Sequence, residues 1–385
     1  MSNLKTIFIY TPTWLAFGGG EKYVLLLAEV LSKLSNVSVT LLSDKCAVTR
    51  SALEEFSHAD LSKIDYRNIT GINAIKPLTR DADIFICLSN YQRIKSTART
   101  HVQLLQIPYG KINASSISVK LVQGKFKEAV KDLYRLRLLS FSRDEADLVI
   151  TNSKFVSDTL QQNFGIQSQV LFPPIQNYFC EGIPKKNIIL SVGRFFSGLY
   201  NNKRYDILTE AFRRVCQSGL KGWEYHIVGS VTNDSKTQQF LQLLREQNRG
   251  YPIYFHVNEN YDTLRRLYNE ATIFWHGAGY GVDEYSHPEN VEHFGMTTVE
   301  AMSACCIPVV SNRGGQKEII THGKNGYLWD TVEDLINYSE EIARSMKPLT
   351  SIWKQTRERY QDFELSQFRS RVQEILSPLL NNCSF

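Results

Sequence analysis

The 385-residue chain is too long for one ordinary hydrophobic core, so two domains are expected. Its 43% hydrophobic and 22% charged residues suit a globular enzyme, and no stretch approaches the roughly 18 apolar residues that cross a bilayer. A net charge of +5 suits an anionic ligand or an anionic membrane surface, and no aromatic-and-basic repeat points to a nucleic-acid partner.

Met1 to Lys5 lacks the basic segment, apolar run and cleavage site of a leader, and a cytoplasmic location is expected. Strands are then predicted at Thr6–Tyr10, Val37–Leu42, Ile84–Leu88, His101–Gln106, Leu148–Thr151 and Gln169–Phe172. Amphipathic helices fall at Tyr23–Leu34 and at Lys154–Asn163, the latter ended by Gly165. Pro173-Pro174 makes a natural hinge, after which the pattern restarts. Strands follow at Ile188–Val192, Glu224–Val228, Ile253–Val257, Ile273–His276 and Ile307–Val310. Helices lie between them at Tyr205–Cys216, Lys236–Asn248, Tyr261–Glu270 and Thr297–Ala304. Alternating strands and helices predict two doubly wound α/β domains that bind ligands at the carboxyl ends of their strands. The seven cysteines are scattered without ligand-like spacing, which disfavours zinc and disulfides.

Three groups of residues carry chemistry. Phe17-Gly18-Gly19-Gly20-Glu21-Lys22 follows the first strand and leads into a helix, which suits close approach of an anionic group; a tight turn is the alternative. Gly193-Arg194-Phe195 ends the strand after the hinge, and Lys203 stands just before the next helix. A forked guanidinium with a lysine point charge is what a diphosphate needs, and surface salt bridges are the bland alternative. The third group is Glu292-His293-Phe294-Gly295-Met296-Thr297-Thr298-Val299-Glu300, two carboxylates flanking seven residues across a helix start. Carboxylates accept from two hydroxyls at once, so Glu292 suits a hexose and Glu300 a ribose diol; helix-capping acids are the alternative. Asp81-Ala82-Asp83 and Glu145-Ala146-Asp147 both stand at strand starts, so no metal site is expected there.

These strings, with Asn152-Ser153-Lys154-Phe155-Val156 and Gly314-Gly315 before Glu318-Ile319, occur in family order. The chain resembles family 4 retaining glycosyltransferases of the GT-B fold, the glycosyltransferase group 1 type. The resemblance implies two Rossmann-like domains facing a central cleft. Residues 1–178 with a crossing helix at about 365–385 would form the acceptor side, and 179–364 the donor side. Arg194, Lys203 and Glu292 would be catalytic, with Arg194 and Lys203 on the donor diphosphate and Glu292 on the transferred sugar. Glu300 would hold the ribose, and the backbone at Phe294, Gly295, Met296 and Thr297 the sugar and phosphate. Gly19 and Gly20 would close over the diphosphate, and Phe255–Asn258 would border the base. No cofactor is implied beyond a nucleotide-sugar co-substrate, with GDP-mannose ahead of a UDP-hexose. The family shows no agreed nucleophile, so a metal-independent front-face transfer is expected, to a glycan, lipid-linked or other hydroxyl acceptor. A non-catalytic nucleotide-sugar-binding subunit is the other reading.

Departures from the family are Gln106 where a histidine is common, Cys305 where glycine is common, and a long connection from His276 to Asn290. The segment from Val119 to Arg143 carries seven basic residues among apolar ones. It suits peripheral contact with an anionic membrane; a solvated helix face is the alternative.

Overall fold

The computed structural model describes residues 4–12, 18–44, 48–195, 203–231, 235–344 and 350–380. The chain divides into two compact units, one of residues 1–174 with 366–385 and one of residues 175–365. The first break falls directly after Pro174. Residues 175–178, which the sequence assigned to the first domain, bond within the second: Asn269 Nδ2 donates to the Tyr178 carbonyl at 2.8 Å.

In the first domain seven parallel strands stand in the order β3-β2-β1-β4-β5-β6-β7. They are β1 Lys5–Tyr10, β2 Val37–Ser43, β3 Ile64–Asn68, β4 Ile84–Leu88, β5 Thr100–Leu105, β6 Leu148–Thr151 and β7 Gln169–Val170. The helices are α1 Gly19–Ser32, α2 Arg50–Ser57, α3 Ile75–Leu78, α4 Ala114–Val122, α5 Phe126–Asp144 and α6 Lys154–Phe164. Helix α1 starts four residues before the predicted Tyr23, because the Glu21 carboxylate accepts from the Gly18 amide at 2.9 Å. Gly19 and Gly20 therefore lie in the first helical turn, while Phe17 falls outside the described residues. The acidic pairs are spent at strand starts: Asp83 pairs with Lys5 at 3.2 Å, and Asp147 accepts from the His101 amide at 2.7 Å.

The second domain repeats the plan with six parallel strands in the order β10-β9-β8-β11-β12-β13. These are β8 Lys186–Val192, β9 Glu224–Gly229, β10 Ile253–Val257, β11 Ala271–His276, β12 Ile307–Ser311 and β13 Tyr327–Trp329. Its helices are α7 Tyr205–Gln217, α8 Ser235–Gln247, α9 Tyr261–Glu270, α10 Met296–Ser303, α11 Gln316–Ile319, α12 Val332–Arg344 and α13 Thr350–Tyr360. Trp275, Phe212 and Tyr225 pack under the sheet, and the Trp275 indole donates to Ser339 Oγ at 2.8 Å. A last helix, α14 (Leu365–Leu380), returns to the first domain, where Phe368 meets the Tyr23 ring edge-on at 5.6 Å.

In both sheets the strand order reverses once, between β1 and β4 and between β8 and β11. That is where doubly wound sheets leave a crevice at the strands' carboxyl ends.

Candidate functional site

In the second domain the switch point is furnished with charge. Strand β8 ends at Val192, and the chain continues through Gly193 and Arg194. Neighbouring β11 ends at His276, a buried polar residue that follows the apolar run Ile273-Phe274-Trp275. Ser191 Oγ donates to the Trp275 carbonyl at 2.7 Å and so ties the two strand ends together.

Lys203 reaches this point from just ahead of α7. A Cβ on Gly193 would lie 3.0 Å from Lys203 Cγ and Cε, so a larger residue would push the lysine stem aside by a few tenths of an ångström. Gly277 gives similar clearance below, since its Cβ would sit 3.2 Å from the Lys203 carbonyl. Arg204 takes the left-handed conformation at φ 54°, which costs of order 1–2 kcal/mol in a non-glycine residue. Its guanidinium is held by the Tyr280 carbonyl at 2.7 Å and by Asp206.

The Lys203 ammonium donates to Glu292 Oε2 at 2.6 Å, and His276 Nε2 lies 3.0 Å from the same oxygen. The Gln316 amide nitrogen stands 3.3 Å from His276 Nδ1 and 3.0 Å from Thr298 Oγ1. The Lys203 ammonium also stands 3.3 Å from His276 Nε2, so lysine, carboxylate and imidazole meet at one point. Burial alone would raise the Glu292 pKa, but the Lys203 charge and the His276 contact outweigh it and hold the carboxyl well below its usual range. Burial and then the Lys203 charge push the His276 imidazole down, against the pull of Glu292, so it is neutral at pH 7.

Two glycines shape the loop that carries Glu292. Gly314 sits at φ 57°, and its Cβ would come within 2.2 Å of the Glu292 carbonyl. At Gly315 a Cβ would meet the His293 carbonyl and Phe294 Cα at 2.5 Å. Its amide donates to the Glu292 carbonyl at 2.8 Å. The long His276–Asn290 connection joins in: Glu284 accepts from the Gly314 amide at 2.6 Å and pairs with Lys317.

Past this loop, Gly295 at φ 119° caps α10, and Met296 and Thr297 form its first turn. The first amides of a helix have no carbonyl one turn back, so this end presents donors and the positive pole of the helix dipole. Glu300, one turn on, accepts from the buried Tyr268 hydroxyl at 2.8 Å, which fixes its carboxylate. Phe294 is buried against Phe363 at 5.4 Å and is a packing residue.

The structure thus joins Lys203 and Glu292 directly, with Gly295, Met296 and Thr297 in the segment that follows Glu292. Arg194 is exposed and forms no ion pair with a described residue. Near the segment expected to border the base, Phe195 packs on Phe255 at 6.2 Å, and Asn258, at φ 54°, accepts from the Val231 amide at 3.1 Å. Gly19 and Gly20 belong to the first domain, where a Cβ on Gly20 would lie 2.7 Å from Gln106 Oε1. Sequence reasoning missed His276, Gln316 and Glu284. A polar residue ending a buried strand at the switch point was the available signal for His276. Cys305 adopts φ 62°, so the helix end keeps the left-handed geometry of a glycine despite its side chain.

Residues 179–359, just under half of the chain, match the family described as glycosyl transferases group 1. The chain is 24% identical over 284 residues to the GDP-Man:Man(3)GlcNAc(2)-PP-Dol alpha-1,2-mannosyltransferase of Dictyostelium discoideum, over 68% of this chain and 54% of that protein. It is 23% identical over 251 residues to the human alpha-1,3/1,6-mannosyltransferase ALG2, over 57% and 55% of the two chains. The chain spans about half the length of the curated relatives it matches. Anabaena Alr3699/HepE, solved in complex with UDP and glucose, superposes with a TM-score of 0.70 at 16% identity, over 97% of this chain and 100% of that one. A Rickettsia africae glycosyltransferase gives 0.67 at 17% identity, over 99% and 100%. These likenesses identify the fold as GT-B.

Proposed function

We propose, from the match of residues 179–359 to the family described as glycosyl transferases group 1, that the chain transfers a hexose from a nucleotide diphosphate sugar to a hydroxyl acceptor. The observation that carries the reading is the Lys203–Glu292–His276 cluster at the carboxyl ends of β8 and β11, followed in the chain by the amides of α10. It offers a cation for a diphosphate and a carboxylate for sugar hydroxyls within 2.6 Å of each other. The two mannosyltransferase relatives favour mannose, with GDP-mannose as first candidate donor and a glycan or lipid-linked acceptor.

The reaction proposed is retaining and metal-independent. The bond between the anomeric carbon and the diphosphate oxygen breaks while the acceptor oxygen bonds on the same face. The acceptor's proton passes to a departing phosphate oxygen. Lys203 and the exposed Arg194 stabilise charge building on the leaving diphosphate, which is where preorganised cations accelerate transfer most. Glu292 orients the hexose, His276 holds Glu292, and Gln316 holds His276. Glu300, oriented by Tyr268, receives the ribose diol.

The test is a thermal-shift panel of GDP, UDP, ADP and their sugar conjugates, followed by donor turnover. One nucleotide is expected to raise the melting temperature. Lys203→Ala and Glu292→Ala should each cut turnover at least about a hundredfold. A chelator should leave turnover intact. Near-normal turnover in both variants would refute the site, and turnover abolished by chelator and restored by Mn²⁺ would refute the metal-free reaction.

A further inference from the structure

Helices α4 and α5 form a hairpin in the first domain whose outer surface is not that of an ordinary solvated helix. Seven large apolar side chains between Val119 and Tyr134 are exposed, with Val122 at 89% and Phe126 at 63%. The other exposed large apolar residues, Leu4, Tyr91, Phe179, Leu243, Tyr254 and Tyr285, are scattered. On α5, Phe126, Val130 and Leu133 recur at helical spacing and make one stripe, while Ala129 and Asp132 on the adjoining flank are buried. Leu121 and Val122 end α4, and Gly124 at φ 71° turns the chain so that both helix ends share one tip.

The charges divide into two sets. Lys120 and Arg135 both pair with the buried Asp132, and so brace the hairpin from inside. Lys125, Lys127, Lys131 and Arg137 are exposed and form no ion pair with a described residue. Between 119 and 143 Glu128 is the only exposed acid. An apolar stripe flanked by unpaired cations fits a surface with an apolar interior and anionic heads. A second copy of this chain fits poorly, because the same lysines would be brought face to face.

We propose that the α4–α5 tip docks on an anionic phospholipid bilayer, its apolar side chains entering the acyl boundary and its lysines lying at phosphate level. The sequence already suggested that this basic amphipathic segment rests on an anionic membrane; the exposures add which apolar residues would be the anchor, with the basic residues as their rim. This inference stands apart from the transferase reading, since it concerns the first domain and needs no turnover.

The experiment is co-sedimentation of the full chain with phosphatidylcholine vesicles containing about 30% phosphatidylglycerol, against phosphatidylcholine alone. Binding is expected on the anionic vesicles and weakens as salt rises to about 0.5 M. Val122→Ser with Phe126→Ser should lower partitioning roughly tenfold or more. Lys125→Glu with Lys127→Glu and Lys131→Glu should abolish the preference for anionic lipid. These positions are exposed, and circular dichroism confirms that each variant is folded. Equal partitioning of the wild type on both vesicles, no partitioning, or an undiminished Val122→Ser/Phe126→Ser variant would overturn the proposal. A wild-type dimer that this variant dissociates would overturn it too, by giving the face to a second copy. Nucleotide thermal shifts read the transferase site separately, so either reading can fail alone.

Discussion

Replacing Lys203 by methionine retains a stem of similar length over Gly193 and removes the cation from Glu292. At an ammonium–carboxylate distance of 2.6 Å, in surroundings of effective dielectric near about 20, the lost attraction is roughly 6 kcal/mol before desolvation. Removing one partner of a buried pair typically costs about 3–5 kcal/mol. Lys203 and Glu292 are 15% and 17% exposed, so water reaches the orphaned carboxylate, and the expected loss is about 2–4 kcal/mol.

Part of that loss should depend on pH through His276. In the wild type burial and the Lys203 charge push the imidazole down. Without Lys203, burial still pushes the imidazole down but the Glu292 carboxylate 3.0 Å away pulls it up unopposed by a cation, so its folded pKa is raised relative to the wild type. A histidine whose folded pKa is raised adds stability that is full below its unfolded pKa of about 6.5 and is lost as pH rises through the folded value. The deficit of Lys203→Met should therefore be larger at about pH 8 than at about pH 5.5. Adding Glu292→Gln removes the orphaned charge and should recover about 1–2 kcal/mol. Four of the five tryptophans, Trp223, Trp275, Trp329 and Trp353, lie in the second domain. Tryptophan fluorescence during guanidinium unfolding thus reports mainly the domain that holds the site. A deficit independent of pH, or a double variant no more stable than Lys203→Met, would refute the coupling of these three side chains.

Three further outcomes follow from the same geometry. Cys305→Gly should stabilise the second domain by about 0.5–1 kcal/mol on the same fluorescence transition, because it relieves a left-handed conformation at φ 62°; a lower midpoint would contradict this. Gly315→Ala should destabilise by about 2 kcal/mol or more and weaken donor binding, since the new methyl meets backbone at 2.5 Å that has no room to yield; unchanged donor affinity would detach the Gly314–Gly315 turn from the Glu292 loop. Arg194→Ala should change stability by less than about 0.5 kcal/mol yet cut donor turnover at least about tenfold, and turnover at the wild-type rate would remove Arg194 from the site.

Much of the fold was legible because local and global signals agreed. Strand β10 and helix α9 begin and end where the sequence placed them, the helix start being fixed by Asn260, whose side chain accepts from the Thr263 amide at 2.9 Å. Strand β3 was missed because it lies at a sheet edge and reads Ile-Asp-Tyr-Arg-Asn, mostly exposed and without a buried run. Strand β13 has three residues, too few for a period to register. Gln169–Phe172 shortens to Gln169–Val170 for a similar reason, since Pro173 and Pro174 follow and supply no donor. At the site, residue types and spacing pointed to Lys203 and Glu292 separately, but nothing in a separation of 89 positions says that they touch. His276 gave no motif of its own, and its role rests on a contact with Gln316 forty residues away.

That contact explains why the cluster is more than two opposite charges. His276 meets Gln316 through Nδ1 and Glu292 through Nε2, so the carboxylate is held between an imidazole on one side and a cation on the other. A ligand that carried only phosphate would compete for Lys203 and leave Glu292 with a single buried partner. One that carried only hydroxyls would meet a carboxylate already satisfied by Lys203. A sugar joined to a diphosphate, on the proposed reading, meets both needs in one molecule: phosphate oxygens take over the ammonium as hydroxyls take over the carboxylate, and neither charge is stranded. On that reading the mutually neutralising pair is matched to a donor with both functions, and the imidazole keeps Glu292 in place while its lysine is shared.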